Sequence, residues 1–149
     1  MNLQGDEPAI DIQDIVSLND KMVQNSSSIG TLAAIIKDNN SLNNENIVKV
    51  ITENSLVESN FPKGIFFVRK SKQIDNIYHH IGVYCYSKDS LEKFVQLSQS
   101  KNEIENRLEQ LRALDNNIDI NVSLAKSSPI GVDTEEDYLA LKKIMEYKN

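Results

Sequence analysis

The residues that staple, kink or loosen a backbone are scarce in this chain of 149 residues: one cysteine, three prolines and five glycines. The single thiol, Cys85, excludes an internal disulfide and fits a reducing compartment. Between Tyr84 and Tyr86, in a strand-like run, it reads as a buried, inert thiol. The five glycines never gather, so these residues hold no Gly-rich loop of the kind that cradles phosphates. No apolar run approaches the ~20 residues that span a bilayer, and the first residues do not read as a secretory signal. A basic excess is lacking too. Sixteen Lys and Arg against 22 Asp and Glu give a net charge of −6, and the cations are scattered, which argues against a nucleic-acid surface. The expectation is a cytoplasmic protein without nucleic-acid or membrane partners.

What is present suffices for one domain, taken as residues 1–149. A domain near this size buries roughly 68–70% of the surface its unfolded chain exposes. Met1 to Pro8 read as a short strand that ends on Gly5, two carboxylates and Pro8, an edge that presents acidic groups. Asp11 to Asn25 predicts a helix capped by Asp11, with Ile12, Ile15, Val16, Met22 and Val23 on its apolar face. Strands are expected at Thr31–Ile36, Ile47–Ile51, Ile65–Arg69, Ile77–Tyr86 and Ile118–Val122. Pro62 and Gly64 mark a turn, and Asn39 to Asn46 form an Asn-rich patch. A helix is predicted from Ser87 or Asp89 to Leu97. A second follows from the spacing of Ile104, Leu108, Leu111 and Leu114. A last one runs from Thr134 to Tyr147 on Tyr138, Leu139, Leu141 and Ile144. Strands and helices mix throughout, which defines an α/β class.

Four clusters could carry chemistry, and each has a plainer reading. Asp6 and Glu7 in Gln4-Gly-Asp-Glu7 offer hard oxygens to a cation such as Mg²⁺, or are solvated turn residues. The adjacent pair His79-His80 puts one ring on each face of a strand, so at most one faces any given site. Glu109 and Arg112, three apart on a helix, make either a site or a surface ion pair worth ~0.2–0.5 kcal/mol. Asp133 or Thr134 precedes the last helix with Glu136 or Asp137 behind it, a capping-box spacing.

Taken together and in order, Gln4-Gly-Asp-Glu-Pro8, His80-Ile-Gly-Val-Tyr84, Leu108-Glu-Gln-Leu-Arg112 and Gly131-Val-Asp-Thr-Glu-Glu-Asp137 resemble the 3-deoxy-manno-octulosonate cytidylyltransferases, the CMP-Kdo synthetases of lipopolysaccharide assembly. Thr31-Leu-Ala33 and Ile47-Val-Lys-Val-Ile51 fit the same pattern. The resemblance implies an incomplete Rossmann-like nucleotidyltransferase domain, with a mixed sheet and flanking helices. It implies transfer of CMP from CTP to Kdo with release of pyrophosphate. By the same resemblance Asp6 and Asp133 are catalytic and hold Mg²⁺. Gln4, Arg69, His80, Tyr84, Glu109 and Gln110 bind the sugar acid, with Arg69 gripping its carboxylate bidentately and His79 pointing outward.

The chain departs from that family at three places. The Gly-rich phosphate loop with its Arg and Lys is absent, as are the first parallel strands. The stretch from Arg69 to His80 is short and lacks a proline-rich segment, which leaves homodimerisation open. Ser87 stands where the family often has Arg. The readings that follow are a fragment of a longer synthetase, one half of a split enzyme that pairs with an N-terminal half chain, or a non-catalytic remnant or sugar-acid-binding regulatory module. A shortened sheet is expected to expose an unpaired edge and apolar helix faces, and the lone chain is expected to bind CTP poorly.

Overall fold

The structure is a computed structural model that describes residues 1–3, 9–36, 39–71, 75–126 and 135–146, with some side chains inside these ranges also left undescribed. A ten-residue strand, β5 (Ile77–Tyr86), is its axis. Its near-continuous apolar and aromatic sequence suits a strand covered on both faces. One edge of β5 pairs antiparallel with β2 (Ile29–Ala34). The other pairs antiparallel with β3 (Lys49–Thr52) and, further along, with β1 (Asn2–Leu3), where Asn2 meets Tyr84 and Leu3 meets Val83. Beyond β3 lies antiparallel β4 (Gly64–Val68). Beyond β2 lies parallel β6 (Ile120–Leu124). The order is β4-β3-β5-β2-β6 with β1 on β5, a mixed sheet as expected.

The expected open edge is partly covered. Ahead of β4, Pro62 O accepts from Val122 N at 2.8 Å, and Lys63 bridges Asn121. The segment that pairs with β3 thus also caps β6, and free strand hydrogen bonds are reduced. A side chain at Gly64 would crowd this close approach. A Cβ on Gly64 would lie 3.2 Å from a Val50 methyl and 3.3 Å from a Val122 methyl.

Alternation along the strands divides the core between the two faces. Leu32, Ala34, Ile81, Val83 and Cys85 face α1 (Ile12–Asn25) and pack on Leu18 and Met22. Ile29, Ala33, Val50, Phe67 and Tyr84 face the other way. There they meet Phe94 of α3 (Lys88–Phe94), Leu108, and Leu111 and Ala113 of α5 (Leu111–Asp115). Cys85 is buried and unpaired, as read from the sequence.

The helix α1 begins on its predicted cap, with Gln13 N donating to Asp11 Oδ1 at 2.8 Å. Its buried face differs from the predicted one. Asp14, Leu18 and Met22 are buried, whereas Ile12, Val16 and Val23 are exposed. Asp14 is drawn inward because both its oxygens accept from Lys126 N at the end of β6, each at 3.2 Å. The single helix predicted around Leu108 is two. Arg107 adopts a left-handed conformation (φ 54°) that ends α4 (Lys101–Asn106) before α5 begins. Within the Asn-rich patch lies a short helix, α2 (Asn39–Asn43), that periodicity did not predict. The last helix, α6 (Glu135–Glu146), buries Leu141 but leaves Tyr138 and Leu139 exposed; the side chain of Ile144 lies outside what is described. Among the described residues no helix is long and apolar enough to cross a membrane.

Candidate functional site

Residues of β5 that share the face opposite α1 build a ladder of rings. Phe67 of β4 stands edge-on to His80 at 5.1 Å, His80 lies 5.4 Å from Tyr84, Tyr84 6.1 Å from Tyr86, and Tyr86 5.9 Å from Phe94. The guanidinium of Arg112 closes the series 4.9 Å above the Phe94 ring, a cation–π contact. The four-residue spacing of His80 and Tyr84 therefore places both on one face, as predicted.

His80 is buried, and its Nε2 lies 2.9 Å from Thr31 Oγ1. Burial, reinforced by the neighbouring His79, pushes its pKa down to about 3. The ring is neutral at pH 7. Tyr84 is buried as well, and its hydroxyl has no hydrogen-bond partner among the described residues. Burial, then Tyr86 and Glu109, raise its pKa well above the ordinary phenol value. Burial and Glu109 push Tyr86 up to about 12, opposed by Arg112. Both phenols thus stay protonated and can donate. Glu109 joins the far end of this ladder through Arg112, whose Nη2 lies 3.4 Å from Glu109 Oε1.

The segment that carries Glu109 and Gln110 is held from below. Arg112 donates to Glu103 from Nε at 2.8 Å and from Nη2 at 2.5 Å. Glu103 also closes a capping box with Ser100 at the start of α4. Arg112 pulls the Glu103 carboxyl down to about 2. Glu109 is the minor partner, 3.4 Å from Arg112 Nη2 with a largely exposed side chain. Gln110 heads α5 without a side-chain capping bond, so its half-buried amide is not spent on the helix.

Arg69 is more engaged than the sequence suggests. Its guanidinium donates to the carbonyls of Asn106 (3.4 Å), Glu45 (3.1 Å) and Arg107 (3.3 Å). Three of its five N–H groups are used, and the remainder can meet an anion. Its own carbonyl accepts from the fully buried Lys49 Nζ at 2.7 Å, and Lys49 also donates to Asn44 O at 2.6 Å. His79 lies on the opposite face of β5, in register with Lys49. It is half-buried there rather than pointing into solvent, and burial, then Lys49, lower its pKa.

The structure thus gathers His80 and Tyr84, with Glu109 tied to the far end of their ladder through Arg112 and Arg69 fastened to the residues just ahead of Leu108. Gln4, Asp6 and Asp133 lie outside the described residues. The chain enters residues 4–8 from Leu3, paired to Val83 beside Tyr84. Among the described residues no three His, Cys, Asp or Glu side chains form a metal-binding group. Sequence reasoning missed Thr31, Tyr86 and Glu103. The Ser100-x-x-Glu103 capping pattern was a usable signal for the last, and the two-residue step from Tyr84 for Tyr86.

A mixed sheet with flanking helices and a polar aromatic face matches a nucleotidyltransferase fold. A solved structure of CMP:2-keto-3-deoxy-manno-octonic acid synthetase complexed with CTP superposes with a TM-score of 0.87 at 26% identity, covering 99% of this chain and 61% of that one. The family model described as Cytidylyltransferase matches residues 1–120, and the chain belongs to that family. Among its relatives, the 3-deoxy-manno-octulosonate cytidylyltransferase of Bartonella bacilliformis is 39% identical over 147 residues, 97% of this chain and 60% of the relative. The protein of the same name from Thermodesulfovibrio yellowstonii is 38% identical over 151 residues, 97% of this chain and 59% of the relative. The chain thus spans about 60% of the length of the curated relatives it matches.

Proposed function

We propose that this chain carries the sugar-acid side of a cytidylyltransferase that joins CMP to Kdo for lipopolysaccharide assembly. The anomeric 2-hydroxyl oxygen of Kdo bonds to the α-phosphorus of CTP, the bond to pyrophosphate breaks, and the hydroxyl proton is released. The observation that carries the reading is the buried pair His80 and Tyr84 on one face of β5, with Glu109 held at the end of the same ladder by Arg112. A neutral imidazole, a protonated phenol without a hydrogen-bond partner among the described residues and a carboxylate suit a polyhydroxy ligand, which needs both donors and acceptors. The remaining N–H groups of Arg69 and the amide of Gln110 suit its carboxylate and hydroxyls, with Gln4 completing the set. The names of the relatives support Kdo as that ligand, and the CTP in the solved neighbour supports CTP as the nucleotide.

In this reading Asp6 and Asp133 would hold Mg²⁺, since two hard carboxylates are a donor set such an ion takes. The ion, when bound, supplies positive charge for the phosphate oxygens. The chain's own residues hold the sugar, present its hydroxyl and exclude water from the aromatic face. The site is expected to work in the cytoplasm, where CTP is available, together with the segment of the fold that supplies the triphosphate contacts.

Calorimetric titration with Kdo tests the sugar half of this reading by itself. Saturable binding, weakened by Arg69→Lys and Tyr84→Phe, is expected. Folded protein that shows no Kdo binding would overturn it. Kdo binding without nucleotidyl transfer in any combination would support a sugar-acid-binding module instead.

A further inference from the structure

Thr31 sits where the register between β2 and β5 shifts: Thr31 pairs with Tyr84, but Leu32 pairs with Ile81. The shift leaves two carbonyls facing the Thr31 hydroxyl, Val83 O at 2.8 Å and Ile81 O at 3.3 Å, with His80 Nε2 on its third side at 2.9 Å. A hydroxyl has one proton to donate. An imidazole nitrogen can donate or accept, whereas Val83 O can only accept and at 2.8 Å is the nearest of the three, which puts the proton on the Val83 side. A lone pair of Oγ1 is then left for the imidazole, which must donate to it from Nε2. The other ring nitrogen has no hydrogen-bond partner among the described residues.

We propose that Thr31 is a positioning residue that fixes the tautomer of His80, with the proton on Nε2 and Nδ1 left as a bare acceptor. A bare Nδ1 takes a hydrogen bond from a hydroxyl and repels a carboxylate. The inference deepens the reading of this face as a sugar-acid site and rests on it for its functional consequence. His80 serves a hydroxyl of the ligand, and the carboxylate is left to cationic groups such as Arg69. The threonine in Thr31-Leu-Ala33 thereby gains a role that neither its strand propensity nor its complete burial requires.

The test is the ring ¹⁵N spectrum of His80, read through long-range couplings from its two carbon-bound protons, on the free protein at neutral pH. The expected result is a pyrrole-like Nε2 and a pyridine-like Nδ1 in the parent and in Thr31→Ser, which keeps the hydroxyl. In Thr31→Val the single tautomer is lost. A parent spectrum with the proton on Nδ1, or an unchanged tautomer in folded Thr31→Val, overturns the proposal. The parent spectrum decides even if the valine variant fails to fold. Adding Kdo separates this inference from the reading it rests on. Kdo is expected to shift Nδ1 in the parent and in Thr31→Ser, and to bind about tenfold more weakly to Thr31→Val, the value of one ordinary hydrogen bond. The correct tautomer with no response to Kdo would uphold Thr31 as the positioning residue and reject the sugar site.

Discussion

Replacing Glu103 by Gln keeps the shape of the side chain and removes its charge. In the native fold that carboxylate is 4% exposed and accepts two bonds from Arg112, one from Ser100 N at 3.1 Å and one from Gln99 at 3.2 Å. After the change, a half-buried guanidinium faces an amide that can offer one oxygen and must turn an NH₂ toward another donor. Breaking a buried pair in this way costs about 3–5 kcal/mol. The lower end applies here, because Arg112 keeps Glu109 and the Phe94 ring. At roughly 2–4 °C per kcal/mol for a domain of this size, ~3 kcal/mol lowers the melting temperature by about 6–12 °C. Glu109→Gln, at a largely exposed side chain, is expected to cost no more than ~1 kcal/mol. Replacing Glu103 and Arg112 together by Met and Leu is expected to cost less than Glu103→Gln, since no charge is then stranded. Differential scanning calorimetry at neutral pH measures all three. A Glu103→Gln variant that melts within a degree of the parent, or no more affected than Glu109→Gln, refutes the reasoning that this pair holds the segment beneath Glu109 and Gln110.

Tyr84→Phe removes a buried hydroxyl that has no hydrogen-bond partner among the described residues, so thermal stability is expected to stay level or rise slightly while Kdo binding weakens; a clear loss of stability would mean the hydroxyl has a structural bond. Stability is also expected to fall as pH drops from about 6.5. The folded-state pKa of His80 is depressed to about 3, so the unfolded chain binds the proton first across that window, and the slope from this one group is at most about 1.4 kcal/mol per pH unit. Glu103 acts in the same direction at lower pH. Its folded value is depressed to about 2, so its contribution is full above the ordinary 4.5 and is lost as pH falls toward 2. Urea titrations between pH 7 and 3 measure the slope, and His80→Asn is expected to reduce it above pH 4.5, leaving the part contributed by His79, whose pKa is also lowered; an unchanged slope would contradict a neutral, buried ring.

Much of the sheet was legible because its signals are local. Ile77 to Tyr86 reads as one strand and is one, and the pairing of His80 with Tyr84 on a face follows from period two. The misread elements turn on bonds that no local window contains. The buried side of α1 includes Asp14, which caps a backbone N–H 112 residues away, so the apolar residues Ile12, Val16 and Val23 were the wrong guide. The break at Arg107 carries no Gly or Pro, and a left-handed arginine has no signature in composition. Its carbonyl accepts from Arg69, another long-range contact. Arg69, expected to grip a carboxylate, also donates to three backbone carbonyls, contacts that no local window shows. The family resemblance supplied the candidate site residues, and of these the spacing of His80 and Tyr84 on one face was legible in the sequence. The proton arrangement that Thr31 imposes on His80 became visible only with the register shift in place.

The most direct test of the account is pyrophosphate release from CTP, Kdo and Mg²⁺. It should be run on this chain alone and on the chain mixed with the part of a relative that the match leaves uncovered. Release that requires Kdo, occurs in the mixture and is abolished by Asp133→Asn is the predicted result. Soluble, folded protein that releases no pyrophosphate in either arrangement would contradict the claim that this chain carries a working sugar side of a cytidylyltransferase.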